Sequence, residues 1–223
     1  YNAGQKSLFV NYIYQSIFGT NPSQMYSAGL SFNYDKYDED FRDPVFNYGE
    51  DISTDFINMK REERVPGAFF QYTGEFLDQR FIVMAGLRYD YHNIFGSIWT
   101  PRAHIMYKPD EFTSIKATFG RGLRTPNILA ENSYLLASAA NFYVNGELLG
   151  KNPALLDDLK MEDSWNFGAN VNRKFEVFGR TLNINLDYYH TKFNDQVVVD
   201  NETTYNKVNF YNLDGDSYSN CYQ

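Results

Sequence analysis

Residues 81–120 read FIVMAGLRYDYHNIFGSIWTPRAHIMYKPDEFTSIKATFG, and their opening segment sets the pattern for the chain. Phe81, Val83, Ala85, Leu87, Tyr89 and Tyr91 occupy every second position, while Arg88, Asp90 and His92 fall between or after them. An extended strand sends successive side chains to opposite faces, so this spacing predicts a strand with one apolar, aromatic face and one polar face. Residues 181–190, TLNINLDYYH, repeat it with Leu182, Ile184, Leu186 and Tyr188 against Asn183, Asn185, Asp187 and Tyr189. Residues 163–175 set Trp165, Phe167, Ala169 and Val171 against Asn166, Asn170 and Asn172. A dry core has little use for rows of asparagine, whereas a hydrated lumen does. The residues expected to face that lumen are Arg88, Asp90, Arg102, His104, Lys116, Asn166, Asn170 and Asp187.

Working outward, the same period predicts strands over about Lys6–Phe18, Met25–Tyr37, 65–76, 81–91, 97–107, 113–120, 163–175 and 181–190, with a ninth around Asn206–Leu213. The connections alternate in length: 19–24, 77–80, 108–112 and 175–180 are short, while 38–64, 121–162 and 194–205 are longer, and 92–96 is modest. Outer-membrane barrels have tight turns on the periplasmic rim and long loops on the outer rim, with apolar side chains meeting lipid. The fold expected is therefore all-β, an antiparallel transmembrane β-barrel. Nine strands leave two open edges and an odd count, so the chain is expected to be part of a larger barrel, with residues 1–223 forming one partial barrel domain. Tyr1 to Phe18 reads as a loop remnant entering a strand, with no signal peptide, as expected of an internal piece of a longer precursor.

Composition agrees. The 223 residues include 19 Tyr, 19 Phe and 2 Trp, which favour strands, and mean hydropathy is -0.52, because only alternate residues of a barrel strand touch lipid. Aromatics recur near segment ends, at Tyr12, Tyr14, Phe18, Phe76, Trp99, Tyr107 and Trp165, where an interfacial girdle would sit. Pro101 cannot donate to a ladder and is expected near a strand start or bulge. A formal charge of -8 excludes a nucleic-acid partner. Cys221 is the single cysteine, a free thiol. The acidic run within 35–55 reads as a solvated loop, with loop-bound calcium as the sharper alternative, although its spacing matches no EF-hand. His92, His104 and His190 fall on different strands without metal spacing, and no nucleophile elbow, phosphate loop or HExxH occurs, so the protein reads as a non-enzyme.

Two places carry candidate ligand contacts. Arg121 and Arg124 flank Gly122 in GRGLRTPN, where the sixth strand leaves for the longest loop. They either pair with carboxylates of the lumen or attract an anionic ligand through the planar guanidinium. The loop that follows contributes Asn127, Tyr134, Phe142, Tyr143 and Asn145, which fold over a ligand or pack the loop on its neighbours. Tyr37, Phe41, Phe46 and Tyr48 of the acidic run are placed in the same vestibule.

The ordered set AGLRYDYH, TPRAHIMYKP, TSIKATFGRGLRTPN, NPALLDDLKMEDSWNFGANV, LNINLDYYHTKFNDQVV and YNLDGDSYS resembles the barrel of TonB-dependent outer-membrane receptors and covers most of residues 67–220. The resemblance implies a 22-stranded barrel in the outer membrane of a Gram-negative bacterium, with lipid around it and a separate plug domain inside. It implies active import of a scarce solute, such as a siderophore-iron chelate or cobalamin, powered by the TonB–ExbB–ExbD system acting on the plug, which is not identifiable in this sequence. A passive porin-like or structural outer-membrane barrel and a soluble all-β carbohydrate-binding module remain alternatives; the second predicts a dry core and no polar strand face.

Overall fold

The computed structural model describes residues 2–42, 56–132, 134–135, 140–149, 153–202, 207–213, 215 and 217–222. Its strands are β1 (Asn2–Phe18), β2 (Asn21–Arg42), β3 (Phe56–Phe76), β4 (Phe81–His92), β5 (Gly96–Asp110), β6 (Thr113–Arg124), β7 (Asn141–Val144), β8 (Glu147–Leu148), β9 (Glu162–Val177), β10 (Arg180–Asn194), β11 (Val197–Asp200), β12 (Lys207–Asn212) and β13 (Ser217–Tyr222). Nine of them form one antiparallel sheet in the order β1-β2-β3-β4-β5-β6-β9-β10-β13, the wall. The other four form a small sheet in the order β11-β12-β7-β8, the cap. Short helical segments, α1 (Ile128–Glu131) and a 3-10 turn (Pro153–Asp158), lie in the long connection between β6 and β9.

Cross-strand register assigns the two faces of the wall. Val83 sits opposite Ile105, Ile105 opposite Ala117, and Ala117 opposite Ala169, so the apolar rows of neighbouring strands coincide. On the other face His104 lies opposite Thr118, Lys116 opposite Asn170, and Asn170 opposite Asp187. A one-residue slip in any pair would turn apolar side chains into the lumen, which is what fixes the register. The concavities of the wall open on the polar face, so that face is the inside of the curve. The outer face leaves large apolar side chains open, among them Tyr12 (65 % exposed), Leu30 (62 %) and Leu186 (62 %). Water does not tolerate so continuous an apolar surface; lipid does.

The turns alternate as the sequence predicts. Between wall strands, 19–20, 77–80, 111–112 and 178–179 are short, while the opposite rim carries 43–55, 125–161 and 195–216, with 93–95 brief. Phe178 and Gly179 take φ of +52° and +73°, both left-handed, which closes β9 onto β10 in two residues.

Three expectations are corrected. The acidic stretch 38–64 is not all loop, since β2 continues to Arg42 and β3 begins at Phe56, paired residue for residue. At about 3.3 Å per residue the 22 residues of β2 reach about 70 Å, twice what a tilted strand needs to cross an apolar band about 25 Å tall. Beyond that band both faces meet water, so the hydrophobic alternation stops while the strand does not. The connection 121–162 is also structured: β6 runs to Arg124 and the cap follows. Lastly, the expected ninth wall strand around Asn206–Leu213 is β12 of the cap, and the wall is continued by β13. Of the acidic run, Asp43, Glu50, Asp51 and Asp55 lie outside the described residues, as do Phe46 and Tyr48. Among the described residues no group of His, Cys, Asp and Glu is arranged to hold a metal ion.

Candidate functional site at the long-loop rim

The cap is built from two connections that are distant in sequence. β7 and β8 belong to the one between β6 and β9, β11 and β12 to the one between β10 and β13, and β12 pairs with β7 in parallel. Hairpin β7–β8 turns through Asn145 and Gly146, with φ of +51° and +84°, the residue types a two-residue turn of this hand favours. Among the described residues every buried apolar side chain except Ile98 lies in this unit: Ile128, Leu135, Phe142, Val144, Leu149, Leu155 and Leu159 from the first connection, Val208 and Phe210 from the second. Phe142 and Phe210 stack across the parallel pair with ring centres 6.1 Å apart. Asn212 ties the connections together, accepting from the Lys160 N–H (2.9 Å) and donating to the Asp195 carbonyl (2.7 Å).

The cap is fastened to the wall by ions. Arg124 donates to Glu162 (2.6 Å) and to Glu131 (2.9 Å), and the Val197 N–H donates to Glu162 (3.0 Å). Arg61 of β3 points a guanidinium N–H toward the Pro126 carbonyl (3.4 Å) and lies over the Phe95 ring (5.6 Å). The 3-10 turn of the connection approaches β3 as well, so the chain leaving β6 crosses above the brief β4–β5 turn.

Below it the polar face forms a vestibule of about 530 Å³, bordered by Asn33, Glu63, Arg88, Asp90, His92, Thr100 and Arg102. Arg88 holds Asp90 with two hydrogen bonds of 2.6 Å and donates to Ser31 (2.7 Å). A Cβ at Gly67 would stand 2.0 Å from an Asp90 oxygen, so the bare backbone there makes room for this pair. His92 is 2 % exposed, and its Nδ1 accepts from the Ile94 N–H (3.1 Å). Its Nε2 lies 3.4 Å from Glu63, and Arg61 Nε lies 2.8 Å from the same carboxylate, both off the hydrogen-bond axis. Arg102 and Lys116 make no ion pair among the described residues and present free charge to the lumen. Lower on the wall, Asn170 donates to Asn185 (2.8 Å) and Asp187 (2.6 Å) beside a second concavity of about 430 Å³.

The expected ligand residues separate under this geometry. By register Arg121 falls in the outer row, opposite Trp165, but at this end of β6 it also borders the vestibule. The β5–β6 ladder ends at Gly120, and Arg121 spans the parting strands by donating to both oxygens of Asp163 (2.9 and 3.0 Å) and to the Trp99 carbonyl (3.0 Å). All three guanidinium nitrogens are thus engaged within the wall. Phe142, at 2 % exposure, sits inside the cap core rather than on a surface a ligand reaches. Arg124, Asn127, Tyr134 and Tyr143 are at least partly accessible, Tyr134 at 66 %, and Lys207 lies 4.2 Å over the Tyr143 ring. Asn145 serves the hairpin turn, its N–H donating to the Phe210 carbonyl (2.9 Å). The sequence places His92 on a polar strand face but gives no sign of Asp163, Glu162, Arg61 or Glu63 as partners; the charged run Arg61–Arg64 is the available signal, and it reads as loop.

A long-turn rim carrying a folded cap, a short-turn rim, an apolar outside and a polar inside define the wall of a membrane barrel. A family model described as TonB dependent receptor-like, beta-barrel matches residues 1–220. A probable TonB-dependent siderophore receptor, PirA of Acinetobacter baumannii, is 26 % identical over 157 residues, 68 % of this chain and 19 % of that protein. Among solved structures, the siderophore receptor PirA from Pseudomonas aeruginosa superposes with a TM-score of 0.66 at 16 % identity, covering 98 % of this chain and 37 % of its own. The ferric enterobactin receptor PfeA (mutant G324V) from Pseudomonas aeruginosa gives 0.71 at 16 %, covering 99 % and 32 %. The chain belongs to the TonB-dependent receptor β-barrel family, outer-membrane proteins of Gram-negative bacteria. It spans about a fifth of the length of the curated relative and about a third of these structures.

Proposed function

We propose that this chain forms part of the wall and outer loops of an active importer of a scarce chelated solute, of the siderophore-iron class, within a larger barrel whose plug is worked by TonB. The observation that carries this reading is the cap, a folded unit fastened beside a polar vestibule at the long-loop rim. A passive pore gains nothing from a structured cover over its mouth, whereas a receptor that must capture a dilute ligand gains a rigid surface. Resemblance to proteins named as siderophore receptors supports the solute class. On this reading Arg124, Asn127, Tyr134 and Tyr143 meet the ligand, while Phe142 and Asn145 hold the cap in shape and Arg121 closes the wall behind it.

The test is uptake of iron supplied as defined chelates by cells whose only receptor is the intact protein, with and without TonB. Uptake is expected to vanish without TonB, and Tyr134→Ala with Tyr143→Ala to raise the half-saturating chelate concentration about tenfold at unchanged receptor abundance. Uptake that continues without TonB sinks the proposal.

A further inference from the structure

Just beyond the apolar band, the outer face of β1–β3 changes chemistry within two rows. The last apolar rows are Val10 with Phe32 and Pro66, then Leu8 with Tyr34. The next row sets Lys6 directly opposite Lys36, both exposed, and the cations Arg64 and Lys60 flank it on β3. Like charges directly opposite on neighbouring strands repel. Glu62, directly opposite Lys36 on β3, is held by Arg64 through two hydrogen bonds (3.0 and 2.6 Å); those bonds keep its carboxyl below the usual range against a desolvation that raises it, with a smaller contribution from the Lys36 charge. Neither Lys6 nor Lys36 has a carboxylate within ion-pair distance among the described residues. This patch holds four cations, Lys6, Lys36, Lys60 and Arg64, against Asp38 and Glu62, on a chain of formal charge -8.

We propose that Lys6 and Lys36 bind the phosphate of an outer-leaflet lipid headgroup, whose acyl chains lie along the Leu8, Val10, Leu30 and Phe32 surface below. Three observations converge on this occupant: the patch faces lipid rather than lumen, it begins one row above exposed apolar side chains, and its sign opposes that of the chain. An anion between the two ammonium groups removes their repulsion, and juxtamembrane cations favour anionic headgroups. The long β2–β3 hairpin supplies the height at which this happens, since both strands remain paired beyond the apolar rows. The assignment needs only the membrane-spanning wall and is independent of what is transported.

The test titrates the intact protein in neutral detergent with micelles doped with phosphatidylglycerol, phosphatidylcholine or no lipid, and with inorganic phosphate. Tight binding of phosphatidylglycerol alone is expected, weakened at least about tenfold in Lys6→Gln/Lys36→Gln and unchanged in Lys174→Gln/Arg180→Gln, whose cations stand near the opposite rim. Equal affinity for phosphatidylcholine, full displacement by inorganic phosphate at equal concentration, or wild-type affinity in the double variant each overturns it. Lys6→Glu, which pairs with Lys36 internally and leaves the cross-strand Lys36–Glu62 pairing in place, is expected to unfold later than wild type in lipid-free detergent and to lose the headgroup preference. Earlier unfolding would refute the repulsion on which the site rests.

Discussion

The wall and the cap are both β-sheets, yet they solve opposite problems. The wall leaves Leu30, Phe70, Phe167 and Leu186 uncovered and places polar side chains where a soluble protein would keep its core. The cap does the reverse, packing Phe142, Val144, Val208 and Phe210 out of reach of any solvent. The difference shows where each sheet obtains its hydrophobic stabilisation: the cap from itself, the wall from the surrounding lipid. One chain thus carries an inside-out sheet and an ordinary small one, and the two should respond differently to the same kind of insult.

The largest effect is expected in the cap. Phe210→Ala removes a fully buried ring and costs about 3–5 kcal/mol of cap stability. Because β12 pairs with β7, both connections should come apart together, while the wall persists. Limited proteolysis should cut both connections, with unchanged heat-modifiable migration of the barrel. Cleavage in the 195–216 connection alone would show that the cap is not one unit.

Next comes the wall, where the face matters more than the volume. Leu87 and Met84 lie on β4, on the lipid and lumen sides respectively. Leu87→Arg should cost about 2–4 kcal/mol near the middle of the bilayer, and Met84→Arg little, since the lumen already holds Arg88, Arg102 and Lys116. Urea unfolding from lipid vesicles separates them, and equal losses would refute the assignment of faces. A smaller loss, about 1–2 kcal/mol, is expected of Asp163→Ala, which frees Arg121 from its clasp where β5 and β6 part; the pair is only partly buried, so solvent screens it. The same unfolding measurement reads it, and a neutral outcome would mean that the Trp99 carbonyl alone holds the guanidinium.

How much of this was legible in the sequence follows from the same contrast. Period-two alternation survives wherever a strand has two different solvents, so β4, β5, β9 and β10 could be read directly from residues such as Leu182 through Tyr189. It fails where both faces are wet, as along Asp38–Arg42 and Lys60–Arg64, and there strand looked like loop. It also cannot tell which sheet a strand joins. Val208 and Phe210 alternate because the cap buries them, and this made Lys207–Asn212 resemble a wall strand, whereas Ser217–Tyr222 carries Asn220 on the outer face and gave a weaker signal. Asn145-Gly146 was a readable hairpin signal inside the long connection, but the parallel partner of β7 lies in another connection, beyond any local pattern. At the site the residue types were visible at Arg121 and Phe142, and their commitments were not, because Asp163 and Phe210 reach them only through the fold.

The smallest effect isolates one turn used twice. The cap closes β7–β8 with Asn145-Gly146 and the wall closes β9–β10 with Phe178-Gly179, at nearly the same first φ, +51° and +52°. Asparagine tolerates that left-handed conformation and a bulky aromatic does not, so Phe178 carries strain that Asn145 avoids. Phe178 is fully exposed and makes up no part of either core, so the wall gains nothing within the chain for that strain. Phe178→Asn is therefore expected to stabilise the barrel in detergent by about 0.5–1 kcal/mol, and Asn145→Phe to destabilise the cap by a similar amount. Repeating the first measurement in lipid vesicles sharpens the contrast. Aromatic side chains favour the bilayer interface, and a short-turn rim lies at that depth. If the gain from Phe178→Asn shrinks or reverses in vesicles, the ring is held by the headgroup layer, and the wall's strained turn is stabilised from outside the chain as its sheet is. If the gain is the same in both, the strain is uncompensated and the parallel between turn and sheet fails.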